Sequence, residues 1–183
     1  MAKLSLAIQR MPQVGETIRM ETRAYGQRRA LYHRVTSLHG AGGEKLCEAD
    51  SRWVLINTAT RRILRKPPEE FAHVYVDTPG EEEHELTLPK PGALFPIEQV
   101  RAGYTLCDRN GHMNNTKYAD LICDHLPLER LRAGMPKQML LYYHSEIPLG
   151  SLFSLCGCPV GEKGFYFLAK SEEVKHFECY TYF

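Results

Sequence analysis

The sequence predicts an α+β protein in which an antiparallel sheet wraps one apolar helix, repeated in tandem with the first copy incomplete. Three observations carry this. Alternating apolar and polar runs joined by glycine turns read as long antiparallel strands. One long segment places its apolar residues at helical spacing. Punctuation also recurs: Pro12-Gln13-Val14-Gly15 precedes one strand and Pro148-Leu149-Gly150 precedes its counterpart. At 183 residues the chain holds one domain or two small ones sharing a core.

In chain order, residues 3–10 form a short alternating run and residues 11–15 a turn or bulge. Residues 16–25 alternate again, with Thr17, Arg19 and Glu21 set against Ile18, Met20 and Thr22. Gly26 and Gln27 turn the chain into a strand over 28–39, and Gly40-Ala41-Gly42-Gly43 turns it back into 44–57. Residues 58–65 are basic and read as one helical turn, stopped by Pro67-Pro68. Residues 1–68 are therefore expected to form a repeat made of strands alone. Residues 69–96 carry Glu81-Glu82-Glu83, Pro89, Pro91 and Pro96 with little periodicity, and are expected to be an extended linker.

Residues 97–183 read as the second repeat. A strand over 97–104 leads to a polar loop over 107–115 and then to the long helix, 115–126. There Tyr118, Ala119, Leu121, Ile122 and Leu126 share a face, opposite Lys117, Asp120 and Asp124. Asn114 or Asn115 can cap its start, and Pro127 ends it. After a short 128–133 segment come four strands, 136–147, 151–159, 165–171 and 174–183. Set beside this, the first part lacks an opening strand and a helix. A four-stranded sheet without a helix leaves an apolar face to be covered by a ligand or a partner, so self-association as a homo-oligomer is expected.

Composition narrows the function. Lys plus Arg number 23 and Asp plus Glu 22, a net charge of +1, which excludes the strongly basic surface that nucleic-acid binding needs. It also argues against an anionic-membrane binder. No apolar run approaches the ~18 residues of a membrane span, and the N-terminal MAKLSLAIQR lacks a signal-peptide core, so a cytoplasmic location is expected. The six cysteines read as reduced packing residues, since Cys47, Cys123 and Cys156 sit among apolar neighbours. Cys156-x-Cys158 with His176 and Cys179 matches no zinc spacing closely, so no metal is expected. His33, His39, His73, His84, His125, His144 and His176 are scattered and read as surface or cap residues. The basic run Arg61, Arg62, Arg65 and Lys66 reads as a solvated face that can also meet an acidic carrier protein.

The chemistry concentrates before the helix. Asp108, Asn110 and His112 alternate along an extended loop and can point one way. They arrive at a helix N-terminus, where unpaired N–H groups around residues 113–116 and the positive end of the helix dipole suit an oxyanion. His112 is the natural base or water-positioning group, Asp108 can fix its tautomer, and Asn110 can donate to a carbonyl oxygen. The same residues also fit a plain polar turn, with Asx-type bonds from Asp108 and Asn110 and a cap at Asn114. On the following strand, Glu146 is either a solvated rim carboxylate or a base or nucleophile.

The segment Asp108-Arg109-Asn110-Gly111-His112-Met113-Asn114-Asn115-Thr116-Lys117-Tyr118 resembles the D-x-N-x-H-x-N-N-x-x-Y signature of acyl-acyl carrier protein thioesterases. Ser51-Arg52-Trp53-Val54-Leu55-Ile56 followed by Thr60-Arg61-Arg62 is similar to the strand end and basic turn of that family's first repeat, and residues 143–151 to its later acidic strand. The resemblance implies a double hotdog fold and hydrolysis of fatty-acyl thioesters on acyl carrier protein, in fatty-acid biosynthesis. By matched position it implies a catalytic set of Asp108, Asn110, His112 and Glu146, with Glu146 as base or nucleophile and no metal or organic cofactor. Two alternatives keep the motif: a non-catalytic acyl-binding or regulatory hotdog protein, and an acyl-CoA thioesterase. Two departures stand out: Ile147 occupies a position where many plant members carry cysteine, and the first repeat is short.

Overall fold

The computed structural model describes residues 1–28, 30–57, 59–60, 62–74 and 87–183, in two compact units, Met1–Leu86 and Thr87–Phe183. The first unit contains β1 (Lys3–Ile8), β2 (Arg19–Arg28), β3 (Leu31–His39) and β4 (Lys45–Trp53). Its strands run antiparallel in the order β2-β3-β4-β1. The Gly40–Gly43 turn closes through a bond from the Gly43 N–H to the Gly40 carbonyl, and Gly43 takes φ 86°, which an L side chain rarely adopts.

The basic run after β4 is not helical. β5 (Leu55–Ile56) and β6 (Ile63–Leu64) form a small hairpin instead. Asn57 decides it. Its side-chain oxygen accepts from the Ala59 and Thr60 N–H groups, and its own N–H donates to the Arg62 carbonyl, which reverses the chain. Thr58 and Arg61 lie outside the described residues. The expected linker opens with a 3-10 helix, Glu69–Val74, and its acidic run, with His84, also lies outside the described residues.

His33 is not a surface residue. It pairs in register with Arg52, and Asp50 lies two residues further along the same strand, so the three side chains share one face. His33 Nε2 lies 3.0 Å from Asp50 Oδ1, and Arg52 Nη2 donates to Asp50 Oδ2 at 3.0 Å. All three are buried, Asp50 to 1% exposure. An isolated histidine in an alternating strand does not tell which face is covered; the charged partners that make burial tolerable are brought in by strand pairing.

The second unit contains β7 (Phe95–Arg101), a 3-10 turn (Tyr104–Leu106), α1 (Asn115–Asp124), α2 (Leu128–Ala133), β8 (Gln138–Tyr143), β9 (Leu152–Val160), β10 (Gly164–Ser171) and β11 (Val174–Tyr182). Its sheet is antiparallel in the order β7-β9-β10-β11-β8. α1 buries Tyr118, Leu121 and Ile122. The Tyr118 ring stands edge-on to Tyr143 of β8 and Phe177 of β11, with centroids 5.2 and 4.7 Å apart. α1 stops before its expected end because His125 caps it: Nδ1 lies 2.8 Å from the Leu121 carbonyl oxygen, while Nε2 meets Glu98 Oε2 at 2.8 Å. The expected strand over 136–147 also stops early, at Tyr143, so the residues that carry Glu146 leave the ladder. Cys156 and Cys158 pair with Leu168 and Tyr166, while Cys179 pairs with Phe167, so the pleat sends Cys179 to the opposite face of the sheet from the other two.

Candidate active site

The loop from β7 to α1 is built by its own backbone. The Asp108 N–H donates to the His112 carbonyl at 3.0 Å and the Gly111 N–H to the Asp108 carbonyl at 3.0 Å, a tight turn in which Gly111 takes φ 79°. Asp108 Oδ1 accepts from the Asn110 N–H at 2.8 Å. That carboxylate is therefore engaged in an Asx turn, and among the described residues no ion pair joins it to His112. The Asn110 side chain is exposed at the turn's tip.

His112 and Glu146 are brought together across the fold. His112 Nε2 lies 3.5 Å from Glu146 Oε1, with the imidazole 24% and the carboxylate 46% exposed. The contact is held by backbone on both sides. The Met113 N–H donates to the Ile147 carbonyl at 2.8 Å, His112 and Pro148 form a bridge, and the Leu149 N–H donates to the Gly111 carbonyl at 2.9 Å. Met113 and Ile147 are buried beneath it. Ile147 offers no nucleophile beside Glu146.

At the helix start the expected cap falls on Asn114, while most of the amides expected to be unpaired are engaged. Asn114 is the N-cap, its side-chain oxygen accepting from the Thr116 N–H at 3.0 Å and from Thr116 Oγ1 at 2.8 Å. The Asn114 N–H donates to the Leu106 carbonyl. Of the four amides from Met113 to Thr116, three are thus engaged, which leaves Asn115 N–H, among the described residues, to meet a bound oxygen. Chain packing at the loop, which no local pattern encodes, takes up the others.

Two further groups shape the site: Tyr143, which nothing in the sequence singled out, and Tyr118, the last residue of the loop motif. The Tyr143 hydroxyl donates to the Asn115 carbonyl at 3.1 Å and so ties β8 to the start of α1. The Tyr118 hydroxyl is pushed up to about 12 by burial and then by the nearby Cys107 and Glu146 charges, so it stays protonated. Cys107, beside the motif, has its thiol raised by burial and by Asp108.

Known proteins match this chain along most of its length. The model of the acyl-ACP thioesterase N-terminal domain matches residues 1–75, and that of the acyl-ACP thioesterase C-terminal domain matches residues 95–176. The chain belongs to the acyl-ACP thioesterase family. This acyl-ACP thioesterase relative is 30% identical over 154 residues to a chloroplastic palmitoyl-acyl carrier protein thioesterase of Cuphea hookeriana, covering 79% of this chain and 37% of that protein. It is 32% identical over 133 residues to the chloroplastic palmitoyl-acyl carrier protein thioesterase of Arabidopsis thaliana, covering 65% of this chain and 32% of that one. The chain thus spans about a third of the length of these relatives. A crystal structure of an acyl-ACP thioesterase from Bacteroides thetaiotaomicron superposes with a TM-score of 0.85 at 22% identity, covering 99% of this chain and 74% of that one. That likeness establishes the hotdog fold for this acyl-ACP thioesterase family member.

Proposed function

We propose that this protein hydrolyses fatty-acyl thioesters of acyl carrier protein and releases the free fatty acid in fatty-acid biosynthesis. The observation that carries the reading is the contact between His112, in the loop motif that leads into α1, and Glu146. Glu146 acts as general base: it takes a proton from water as the water oxygen adds to the thioester carbonyl carbon. His112 Nε2 orients the carboxylate and the water. The oxyanion that forms is met by the Asn115 N–H and the Asn110 amide, at the positive end of the α1 dipole. Collapse of the tetrahedral species expels the carrier's thiolate, which takes up the proton. Asp108 serves by holding the turn that presents Asn110 and His112.

The protein is proposed to act in the cytoplasm, a compartment that suits its six free thiols. Among the described residues no helix is long and apolar enough to cross a membrane. Self-association is part of the same proposal, supported by exposed Met11, Val14 and Met20 in the first unit. Sedimentation that shows only a monomer overturns that part.

The test is hydrolysis of acyl-ACP and acyl-CoA by purified protein. Wild type is expected to prefer the carrier-bound substrate. His112→Ala and Glu146→Gln each lower kcat by about 10²–10⁴-fold while the circular-dichroism spectrum stays unchanged. A wild type as inactive as both variants, yet still binding fatty acid, overturns the enzyme reading.

A further inference from the structure

β8 and β11 pair regularly from Gln138 opposite Tyr182 to Tyr143 opposite Phe177. On the other side of β11, Ala169 of β10 faces Phe177 while Lys170 faces Lys175, so His176 is an extra residue, the centre of a β-bulge. Bulges bend a strand and end or redirect its pairing. Here the His176 carbonyl accepts two N–H groups, from His144 at 2.8 Å and from Ser145 at 3.2 Å. β8 ends at this point, and the chain leaves the ladder immediately before Glu146. The far end of that short segment is fixed where the Ile147 carbonyl accepts from Met113, the neighbour of His112.

The bulge is anchored by its own side chain. The His176 ring is 6% exposed, edge-on to Phe153 at 6.4 Å, and its Nε2 lies 2.8 Å from Ser171 Oγ. Ser171 Oγ also donates to the Leu152 carbonyl at 3.0 Å. A hydroxyl has a single hydrogen, so Ser171 accepts from His176, and Nε2 is the protonated ring nitrogen. A line of contacts therefore runs from β9 through Ser171 and His176 to the segment that delivers Glu146. An apolar residue would fill this buried position without a polar partner; the imidazole adds directionality.

We propose that His176, held by Ser171, is a positioning residue that sets Glu146 beside His112. The inference rests on the thioesterase reading for its kinetic consequence, and its structural consequence can be read without activity. In the kinetic arm, His176→Leu is expected to lower kcat on acyl-ACP by about 10–100-fold with KM within about twofold of wild type. His176→Gln, whose amide can donate to Ser171, recovers activity to within a fewfold, and the milder Ser171→Ala falls between. Equal kcat in His176→Leu and wild type overturns the proposal, as does an equal loss in the Leu and Gln variants. In the second arm, the ring resonances of His112 are followed by NMR at one fixed pH. Glu146→Gln is expected to shift those resonances in the wild-type background, where Glu146 lies 3.5 Å from His112 Nε2, and to leave them unmoved in the His176→Leu background. A shift of the same size in both backgrounds overturns the proposal even if wild type proves inactive, an outcome that by itself sinks only the thioesterase reading.

Discussion

The two units share a strand order and differ in what they bury. β2-β3-β4-β1 in the first unit matches β9-β10-β11-β8 in the second, and β7 has no counterpart among the described residues of the first. In the second unit the buried face of β11 is uncharged, with Phe177 against Tyr118 of α1, followed by Cys179 and Thr181. In the first, the corresponding strand β4 carries Asp50 and Arg52, buried with His33. One strand order thus supports two solutions: an apolar helix, whose N-terminus is then available for chemistry, or a buried cluster in which Arg52 and His33 flank the Asp50 carboxylate. The catalytic reading falls on the unit with the helix because a helix start and the loop before it supply directed donors that a sheet alone does not.

The largest expected effect breaks the chemical side of this comparison. If His112 and Glu146 act as a unit, the double variant His112→Ala with Glu146→Gln loses about as much activity as the worse single variant, about 10²–10⁴-fold, and not the product of both. Single-turnover hydrolysis measures it. Next is the ion cluster of the first unit. Removing Asp50 leaves Arg52 and His33 buried without their carboxylate, so Asp50→Ala is expected to cost about 3–5 kcal/mol, read as a lowered urea midpoint. A cost below about 1 kcal/mol would mean that the cluster is not what holds that face together.

A smaller effect belongs to the helix cap. Asn114→Ala deprives the Thr116 N–H of its acceptor and is expected to cost about 1 kcal/mol in thermal unfolding, with a larger proportional loss in kcat because the site amides lose their frame. The subtlest is a pH effect on the far side of the second sheet. Glu178 accepts from Tyr166 and meets His144 Nε2 at 2.6 Å and Lys175 Nζ at 3.1 Å. Burial raises its carboxyl, but these three bonds outweigh burial and hold it below the ordinary value. A carboxyl lowered on folding stabilises above its unfolded value, near 4.3, and that contribution is lost as pH falls through the folded value. Glu178→Gln is therefore expected to flatten the acid limb of the stability-against-pH curve; at alkaline pH it acts only through Tyr166, whose hydroxyl Glu178 helps to raise.

Much of this was legible in the residues. Period-two alternation and the Gly40–Gly43 turn marked strands, and apolar spacing from Tyr118 to Ile122 marked the helix, because both patterns are set by local geometry; Gly26 and Gln27, read as a turn, instead lie inside β2, where Gly26 is a bulge in its pairing with β3. The loop motif directed attention to Asp108, Asn110 and His112, and the later acidic strand to Glu146. What those residues do to one another was not legible. The polar-turn reading describes Asp108, whose carboxylate is engaged by the Asn110 N–H, and the cap at Asn114. The same turn nevertheless presents His112 to Glu146, thirty-four residues away in sequence. His33 and His176 read as surface residues since nothing within a few residues announces their burial.

By itself, then, the sequence determined the strand and helix periods, the turn residues, the family and the chemical types present at the site. Each depends on side chains close together in the chain. Only the tertiary structure decided that Asn57 folds the basic run into a hairpin, that β8 ends at a bulge before Glu146, that three of four helix-start amides are engaged, and that Asp50 lies buried between His33 and Arg52. Those outcomes depend on which strands pair and in which register, and register is settled by contacts between residues distant in sequence.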